Sequence, residues 1–276
     1  MKTIAYMLSI LCFLSAPFNA ANAADYTASD IIAITKGAGE ILLRHYGQDT
    51  DIAHKSDYSP VTKADIASNR HITAALRALT PDIPIISEES AHNEEAGETF
   101  WILDPMDGTK SFINQTGQFT VNIALIKDSM PVFGVVYIPL SDTTYYTGDD
   151  GKAYKDTPVH GTQQISARAT ENKDLTLVAS RLHGSPADDA FIKSHSIAAI
   201  KTMSSSIKFC LVAEGAADIY PRNGTTMEWD SAAGHAVLLA AGGRIITQDT
   251  KQDLRYNKPA YRNPHFIAFG KIENYP

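Results

Sequence analysis

The sequence predicts a protein of mixed α and β structure in two textures. The first half reads as α+β on an antiparallel sheet, the second as α/β with strands and helices alternating. Three observations carry this. Two helical apolar stripes open the chain, a series of alternating strand segments follows Trp101, and beyond about residue 160 short apolar strands are separated by helical stretches.

From Asp25 to Gly47, the residues Ile31, Ile34, Ala38, Ile41 and Leu42 recur at helical spacing, with Ser29 or Asp30 as cap and Gly47 as stop. A polar loop continues through Pro60. A second helix is expected from about Thr62 to Leu79, with Ile66, Ile72, Leu76 and Leu79 inward, before Pro81 and Pro84 end the segment. Ile83 to Ser87 is a short strand leading into Glu88-Glu89, and Glu94 to Glu98 is a solvated loop. Trp101 to Leu103 is a buried strand ending at Asp104. Phe119 to Lys127 alternates, a turn at Met130-Pro131 leads into Val132 to Ile138, and Thr143 to Thr147 with Lys152 to Tyr154 complete a meander. In the second half, strands are expected at Leu175 to Ser180, Ala217 to Tyr220, Ile245 to Thr247 and Phe266 to Phe269. Helices are expected at Pro186 to His195, Ser205 to Glu214 (ended by Gly215) and Glu228 to Ala241, which is Ala-rich and closed by Gly242-Gly243.

The division that follows is residues 1–23 as an export segment, 24–160 as an α+β half and 161–276 as an α/β half. Lys2, the apolar run Ile4 to Ala16, the break at Pro17 and the small residues of Ala21-Asn22-Ala23 form the pattern of a cleaved signal peptide. The expected location is the periplasm, with an inner-membrane anchor as the alternative. The net charge of −7 and the lack of any Lys/Arg run argue against nucleic-acid binding. Cys210 alone remains beyond residue 23, so no internal disulfide is possible, and its setting in Lys208-Phe209-Cys210-Leu211-Val212-Ala213 is that of a packed core thiol.

Carboxylates stand at the edges of these elements. Asp104 and Asp107 flank Pro105 directly before Gly108-Thr109, Glu88 and Glu89 follow a strand, Asp65 lies in the first turn of a helix, and Asp230 lies early in the Ala-rich helix. Paired carboxylates beside free helix-start amides are what a site for Mg²⁺ and a phosphate needs. Each part also has an ordinary explanation. Glutamates after a strand are usually solvated, an Asp at a helix start usually caps it, and Asp-Pro-x-Asp-Gly-Thr suits a plain turn. The buried Trp101-Ile102-Leu103 before that turn and Phe112 after it favour the metal site. No rival appears. His45, His54, His71, His92 and His160 have no ligand spacing, no Gly-rich nucleotide motif is present, and Ser180, Ser204, Ser205 and Ser206 lack a nucleophile-elbow context.

Trp101 to Phe112 resembles the signature of the lithium-sensitive, magnesium-dependent phosphomonoesterases, the inositol monophosphatase superfamily. Trp229-Asp230-Ser231-Ala232-Ala233-Gly234, with Gly242-Gly243 behind it, resembles the second signature of that group, and Glu88-Glu89-Ser90 the third. Lys55 to Asp65 and Ser205 to Gly215, followed by Tyr220-Pro221-Arg222, are similar to the branch that cleaves 3'(2'),5'-bisphosphate nucleotides. The resemblance spans essentially everything after the N-terminal segment.

It implies a layered αβαβα sandwich of the inositol monophosphatase / fructose-1,6-bisphosphatase type. It also implies two or three Mg²⁺ ions and a small phosphate ester, adenosine 3',5'-bisphosphate, cleaved to AMP and phosphate. In that family's terms, Glu88, Asp104 and the Met106 carbonyl hold a first ion, Asp104, Asp107 and Asp230 a second, and Asp65 stands near a third. Asp65 and Thr109 are the catalytic pair that orients and deprotonates water, and Glu89 supports the ligands from behind. The Gly108 and Thr109 amides hold the scissile phosphate, and Ser205, Lys208 and Arg222 hold the other one. His183 lies near the nucleoside, and Glu88, Met106, Asp107 and Asp230 also line the substrate site. Attack is by water in line, without a phosphoenzyme. No oligomeric state is implied. An export segment does not suit a substrate made in the cytosol, so an inositol monophosphatase-like or broad-specificity exported phosphatase is the alternative. A phosphate-ester binding protein without turnover is a second alternative.

Overall fold

The alternation that runs through the strands sorts their side chains into three separate cores. A computed structural model of the chain describes residues 26–48, 52–54, 60–90, 96–180 and 186–275. The expected export segment 1–23, the stretch Lys55 to Ser59, the start of the loop expected at 94–98 and His183 lie outside the described residues.

The first half opens with α1 (Ala28–His45), the strand pair β1 (Ile52–His54) and β2 (Pro60–Thr62), and α2 (Lys63–Leu79). Then come β3 (Ile85–Ser87), β4 (Thr99–Asp107), the short α3 (Thr109–Ile113), β5 (Thr120–Lys127) and β6 (Met130–Ile138). The meander closes with β7 (Thr143–Thr147), β8 (Ala153–Thr157) and β9 (Gly161–Gln164). The second half holds β10 (Ala169–Thr170), β11 (Leu175–Ala179), α4 (Pro186–Ser194), β12 (Ile197–Thr202), α5 (Ile207–Ala213) and β13 (Ile219–Arg222). It ends with α6 (Glu228–Ala240), β14 (Arg244–Thr247), β15 (Phe266–Phe269) and β16 (Lys271–Ile272).

Strands β3 to β9 form one sheet in sequence order, antiparallel except for β3 beside β4. The second sheet has the order β12-β11-β13-β15-β14, parallel across its first three strands. Trp101, Leu103, Val121, Ile123 and Val135 face α1 and α2 with Ile31, Leu42, Ile72 and Leu76. Phe100, Ile102, Ala124 and Val136 point the other way, into a core shared with α5, α6 and one face of the second sheet. Leu177, Ile219, Ile246 and Phe269 cover that sheet's outer face beside Phe191 of α4. The layers are therefore α1/α2, seven strands, α5/α6, five strands and α4, the αβαβα sandwich expected from the resemblance. The first sheet runs through Gln164, four residues past the expected change of texture at 160.

Several boundaries differ from expectation. Thr27, not Ser29 or Asp30, caps α1, and Asp30 completes its capping box three residues in. The loop expected through Pro60 contains β1 and β2. The β5–β6 turn lies at Asp128-Ser129, both at positive φ, while Pro131 sits inside β6 opposite Ile126, where a register irregularity takes up its missing N–H. β9, β12 and the short β10–β16 pair were not expected. No helix among the described residues is long and apolar enough to cross a membrane.

Helix α6 is buried on almost every side, which explains its Ala-rich sequence. A Cβ placed on Gly134 of β6 would lie 2.6 Å from the Ala233 carbonyl oxygen and 2.8 Å from the Ala236 Cβ. Helix and sheet thus touch backbone to backbone. Gly134→Ala is expected to destabilise the fold by about 1–3 kcal/mol, the usual cost of overpacking. Denaturant melts measure this, and an unchanged midpoint would contradict the close approach.

Candidate active site

The site is built at the ends of β3, β4 and β13 and at the starts of α2, α3, α5 and α6, positions a rigid scaffold holds still. β4 runs buried from Phe100, and the Trp101 Nε1 donates to Thr80 Oγ1 at 2.9 Å. Its pairing with β5 is interrupted between Asp104 and Asp107. The Asp104 Oδ1 accepts the Met106 amide at 3.0 Å, and the Pro105 carbonyl accepts Ser68 Oγ of α2 at 2.9 Å. This bulge turns Asp104 and Asp107 toward one point although they are three residues apart. Gly108 follows at φ 97°, where a Cβ would meet the Gln118 carbonyl at 2.9 Å. The Ser111 and Phe112 amides bond back to the Gly108 carbonyl, so the amides of Gly108 and Thr109 lie ahead of the helical ladder.

Asp230 arrives from the second half. It stands three residues into α6, and its Oδ2 accepts the Met227 amide at 2.8 Å. One carboxylate oxygen each from Asp104, Asp107 and Asp230 falls within 4.8 Å of the others. Burial, and then the Glu88, Asp107 and Asp230 charges, hold the Asp104 carboxyl well above its ordinary range. Burial and the Asp107 charge push Asp230 up to about 8. Asp107 is raised by burial too, against the pull of Lys208 and of the Ser206 amide. Glu88 joins them: its amide bonds to the Leu103 carbonyl, and its carboxyl hydrogen-bonds to that of Asp104. Asp104 is buried and the other carboxylates are half-buried, and a group this close cannot fully ionise unless a cation neutralises it. An all-oxygen donor set of this kind fits Mg²⁺.

Asp65 has two roles on two oxygens. Its Oδ2 accepts the Thr62 amide at 2.7 Å and the Thr62 hydroxyl at 2.6 Å, capping α2. Its Oδ1 faces the Thr109 hydroxyl at 3.5 Å, and that hydroxyl lies 3.4 Å from the Met106 carbonyl. Burial, only partly opposed by Thr62 and reinforced by Glu89 and Glu88, raises Asp65 to about 6.

A cleft of about 380 Å³ extends from Asp107, Gly108 and Asp230 to Ser205, Lys208 and Arg222. Lys208 is buried rather than solvated. Its Nζ donates to the Ser205 carbonyl at 2.6 Å and sits 5.2 Å from the Tyr220 ring centroid. Burial pushes it down to about 8, with Asp107 opposing. Arg222 donates from Nη1 to Ser180 Oγ at 3.3 Å and from Nη2 to the Thr225 carbonyl at 3.0 Å. The Ser205 Oγ, the Arg222 Nε and the Thr226 Oγ1 are buried without a hydrogen-bond partner among the described residues. Ser205 has a φ of 54°, so α5 starts at Ile207 and not at Ser205 as expected.

Of the described site residues singled out in the sequence, Asp104, Asp107 and Asp230 form the acidic cluster with Glu88 beside it, Gly108, Ser205, Lys208 and Arg222 line the cleft, and Asp65, Thr109 and the Met106 carbonyl form a hydrogen-bonded group on which Glu88 and Glu89 act through their charge. Three contributors are not among the site residues singled out in the sequence. Ser206 donates its backbone amide to Asp107 Oδ2 at 2.6 Å, and Thr226 and Tyr220 line the cleft.

A fold of this kind, with a half-buried oxygen cluster at a cation-lined cleft, defines a metal-dependent phosphate-ester site. The chain belongs to the inositol monophosphatase family, whose model matches residues 24–270. It is 39% identical to the 3'(2'),5'-bisphosphate nucleotidase CysQ of Buchnera aphidicola over 246 residues, covering 86% of this chain and 91% of that protein. It is also 39% identical to the protein of the same name from Escherichia coli strain K12, covering 86% of this chain and 96% of that one. The crystal structure of CysQ from Bacteroides thetaiotaomicron superposes with a TM-score of 0.74 at 35% identity, covering 89% and 98% of the two chains. The Thermotoga maritima IMPase shares the fold, with a TM-score of 0.71 at 24% identity and coverage of 87% and 90%.

Proton linkage gives a test of the cluster. Without metal, unfolding releases carboxyls that the folded state holds at raised pKa. Below about pH 4 both states are protonated and the cluster has no pH effect. As pH rises, the unfolded chain loses its protons first, so stability falls until Asp65, near 6, and Asp230, near 8, have ionised. Lys208, near 8, acts above that window and in the opposite direction. Chemical denaturation with a chelator is expected to show this decline from pH 4 to 8, and saturating Mg²⁺ to abolish it. A flat profile without metal would refute the carboxylate cluster.

Proposed function

We propose that the chain is a Mg²⁺-dependent 3'(2'),5'-bisphosphate nucleotidase that hydrolyses adenosine 3',5'-bisphosphate to AMP and phosphate. The carrying observation is that one cleft has two subsites of opposite character. Asp107 and Asp230, clustered with Asp104, line it together with the cations Lys208 and Arg222. An ester with one phosphate uses only the first, whereas a bisphosphate uses both. The similarity to the CysQ nucleotidases of Buchnera aphidicola and Escherichia coli supports the same substrate class.

Glu88, Asp104, Asp107, Asp230 and the Met106 carbonyl would hold two Mg²⁺ ions in this reading, and Asp65 would stand near a third. Bound Mg²⁺ neutralises phosphate charge and lowers the pKa of coordinated water. The chain's own residues do the rest. Thr62 occupies one oxygen of Asp65 and leaves the other for the Thr109 hydroxyl. Asp65 takes a proton through that hydroxyl as water attacks phosphorus, the bond to the 3' oxygen breaks on the opposite side, and the leaving oxygen takes up a proton from solvent. The Gly108 and Thr109 amides bind the phosphate oxygens. Lys208, Arg222 and the unpartnered Ser205 Oγ receive the second phosphate.

Phosphate release from adenosine 3',5'-bisphosphate is expected to exceed that from inositol 1-phosphate, and Asp107→Asn is expected to abolish both. Brisk release from inositol 1-phosphate alone would move the reading to an inositol monophosphatase-like or broad-specificity phosphatase. An unchanged Asp107→Asn rate would remove the metal assignment.

We also propose a periplasmic location with residues 1–23 cleaved. The family match begins at residue 24, directly after Ala21-Asn22-Ala23. Cell fractionation with N-terminal sequencing is expected to find a mature start at Ala24, and an intact Met1 in the membrane fraction would favour the anchor instead.

A further inference from the structure

We infer that Gln248 is a positioning residue for Arg222 and so sets the preference for ligands with a second phosphate; this rests on the nucleotidase reading above. Arg222 is the last residue of β13, paired with Phe266 at the end of the ladder. Where its guanidinium points depends on how that strand end is held. Gln248 follows directly after β14 and is itself anchored, because its amide donates to the His265 carbonyl at 2.9 Å. Its side-chain nitrogen meets three oxygens: the Arg222 carbonyl at 3.2 Å, the Asn223 Oδ1 at 2.8 Å and the Phe266 carbonyl at 3.1 Å. Three converging acceptors identify that atom as the donor nitrogen.

The grip continues outward. With its oxygen held by Gln248, Asn223 turns its Nδ2 to the Asp188 carboxylate of α4 at 2.7 Å. A chain of donors from Gln248 through Asn223 to Asp188 thus ties the ends of β13, β14 and β15 to α4 directly behind Arg222. Gln248 does not line the cleft. Arg222 does, with its Nε buried and unpartnered among the described residues. Any influence of Gln248 on a ligand passes through Arg222.

A purely structural tie and a positioning residue predict different kinetics. Loss of a structural tie lowers the amount of active protein and affects every substrate alike. Loss of positioning affects only ligands that reach Arg222. Gln248→Ala is expected to raise KM for adenosine 3',5'-bisphosphate roughly tenfold, as loss of one or two net hydrogen bonds would, with kcat little changed. kcat/KM for adenosine 3'-monophosphate, which lacks the second phosphate, and the half-saturating Mg²⁺ concentration are expected to stay at wild-type values. Gln248→Glu keeps the size but sets a carboxylate against three oxygens, and is expected to be at least as defective toward the bisphosphate. Titration with AMP, which keeps the 5'-phosphate, reads the same loss as a weakened Kd without turnover. Equal losses on both substrates, or unchanged AMP affinity, would overturn the inference and leave the nucleotidase reading standing. A wild-type protein that does not distinguish the two substrates would overturn both.

Discussion

Mutual repulsion among carboxylates gathered around the buried Asp104 is the constraint around which this molecule is organised. Asp104, Asp107 and Asp230 bring oxygens within 4.8 Å of each other, with Glu88 hydrogen-bonded to the first. Left to itself such a group would spread toward water. It is held instead by fixed backbone: the bulge in β4, the capping bond of Met227 to Asp230, and the Ser206 amide on Asp107. Those donors orient each carboxylate but do not neutralise the group, which leaves a strong electrostatic demand for a cation. Preorganisation of this type is maintained by the fold, which spends stability to keep the ligands in place.

The same demand explains how the two halves join. Ser205 and Ser206 lie where α5 meets the first sheet. The Ser206 hydroxyl sits 2.8 Å from both Thr120 Oγ1 and Asn122 Oδ1 of β5, while its amide serves Asp107. At the far end of α5, Glu214 receives Tyr145 at 2.9 Å and Lys155 at 2.6 Å from β7 and β8. One short helix is thus clamped to the first sheet at both ends while it carries Lys208 into the cleft. The spacing between Lys208 and Asp107 across the cleft is thereby fixed.

Much of this was legible in the sequence because the decisive pieces are local. Trp101 to Phe112 packs a strand, a turn and a helix start into twelve neighbouring positions, and period-two alternation separates Trp101 and Leu103 from Phe100 and Ile102 into different cores. Where the reading failed, the physics lay outside the pattern. β12 is an edge strand exposed along nearly its whole length, so Ile197 to Thr202 shows no buried stripe. The β5–β6 turn is made by Asp128 and Ser129 at positive φ, which Pro131 masks as a turn signal of its own. Ser205 looks like the first residue of a helix, but its left-handed backbone excludes it. The contribution of Ser206 is a main-chain amide, which every residue but proline has. Asp230 could be joined to Asp104 only through a resemblance, because no spacing rule spans that separation.

The burial of α6 bears on the order in which the molecule assembles. This helix touches β4, β5, β6 and β7 on one side and α5 and β14 on the other. Its docking joins segments far apart in the chain, and such contacts carry the entropy of closing a long loop before they return any stabilisation. A partly folded chain with only one sheet in place has Asp104 and Asp107 but not Asp230, and so has no complete cluster. Ion binding by the complete cluster therefore requires α6 in place, so a cation held there stabilises the docked chain over any form in which α6 is undocked.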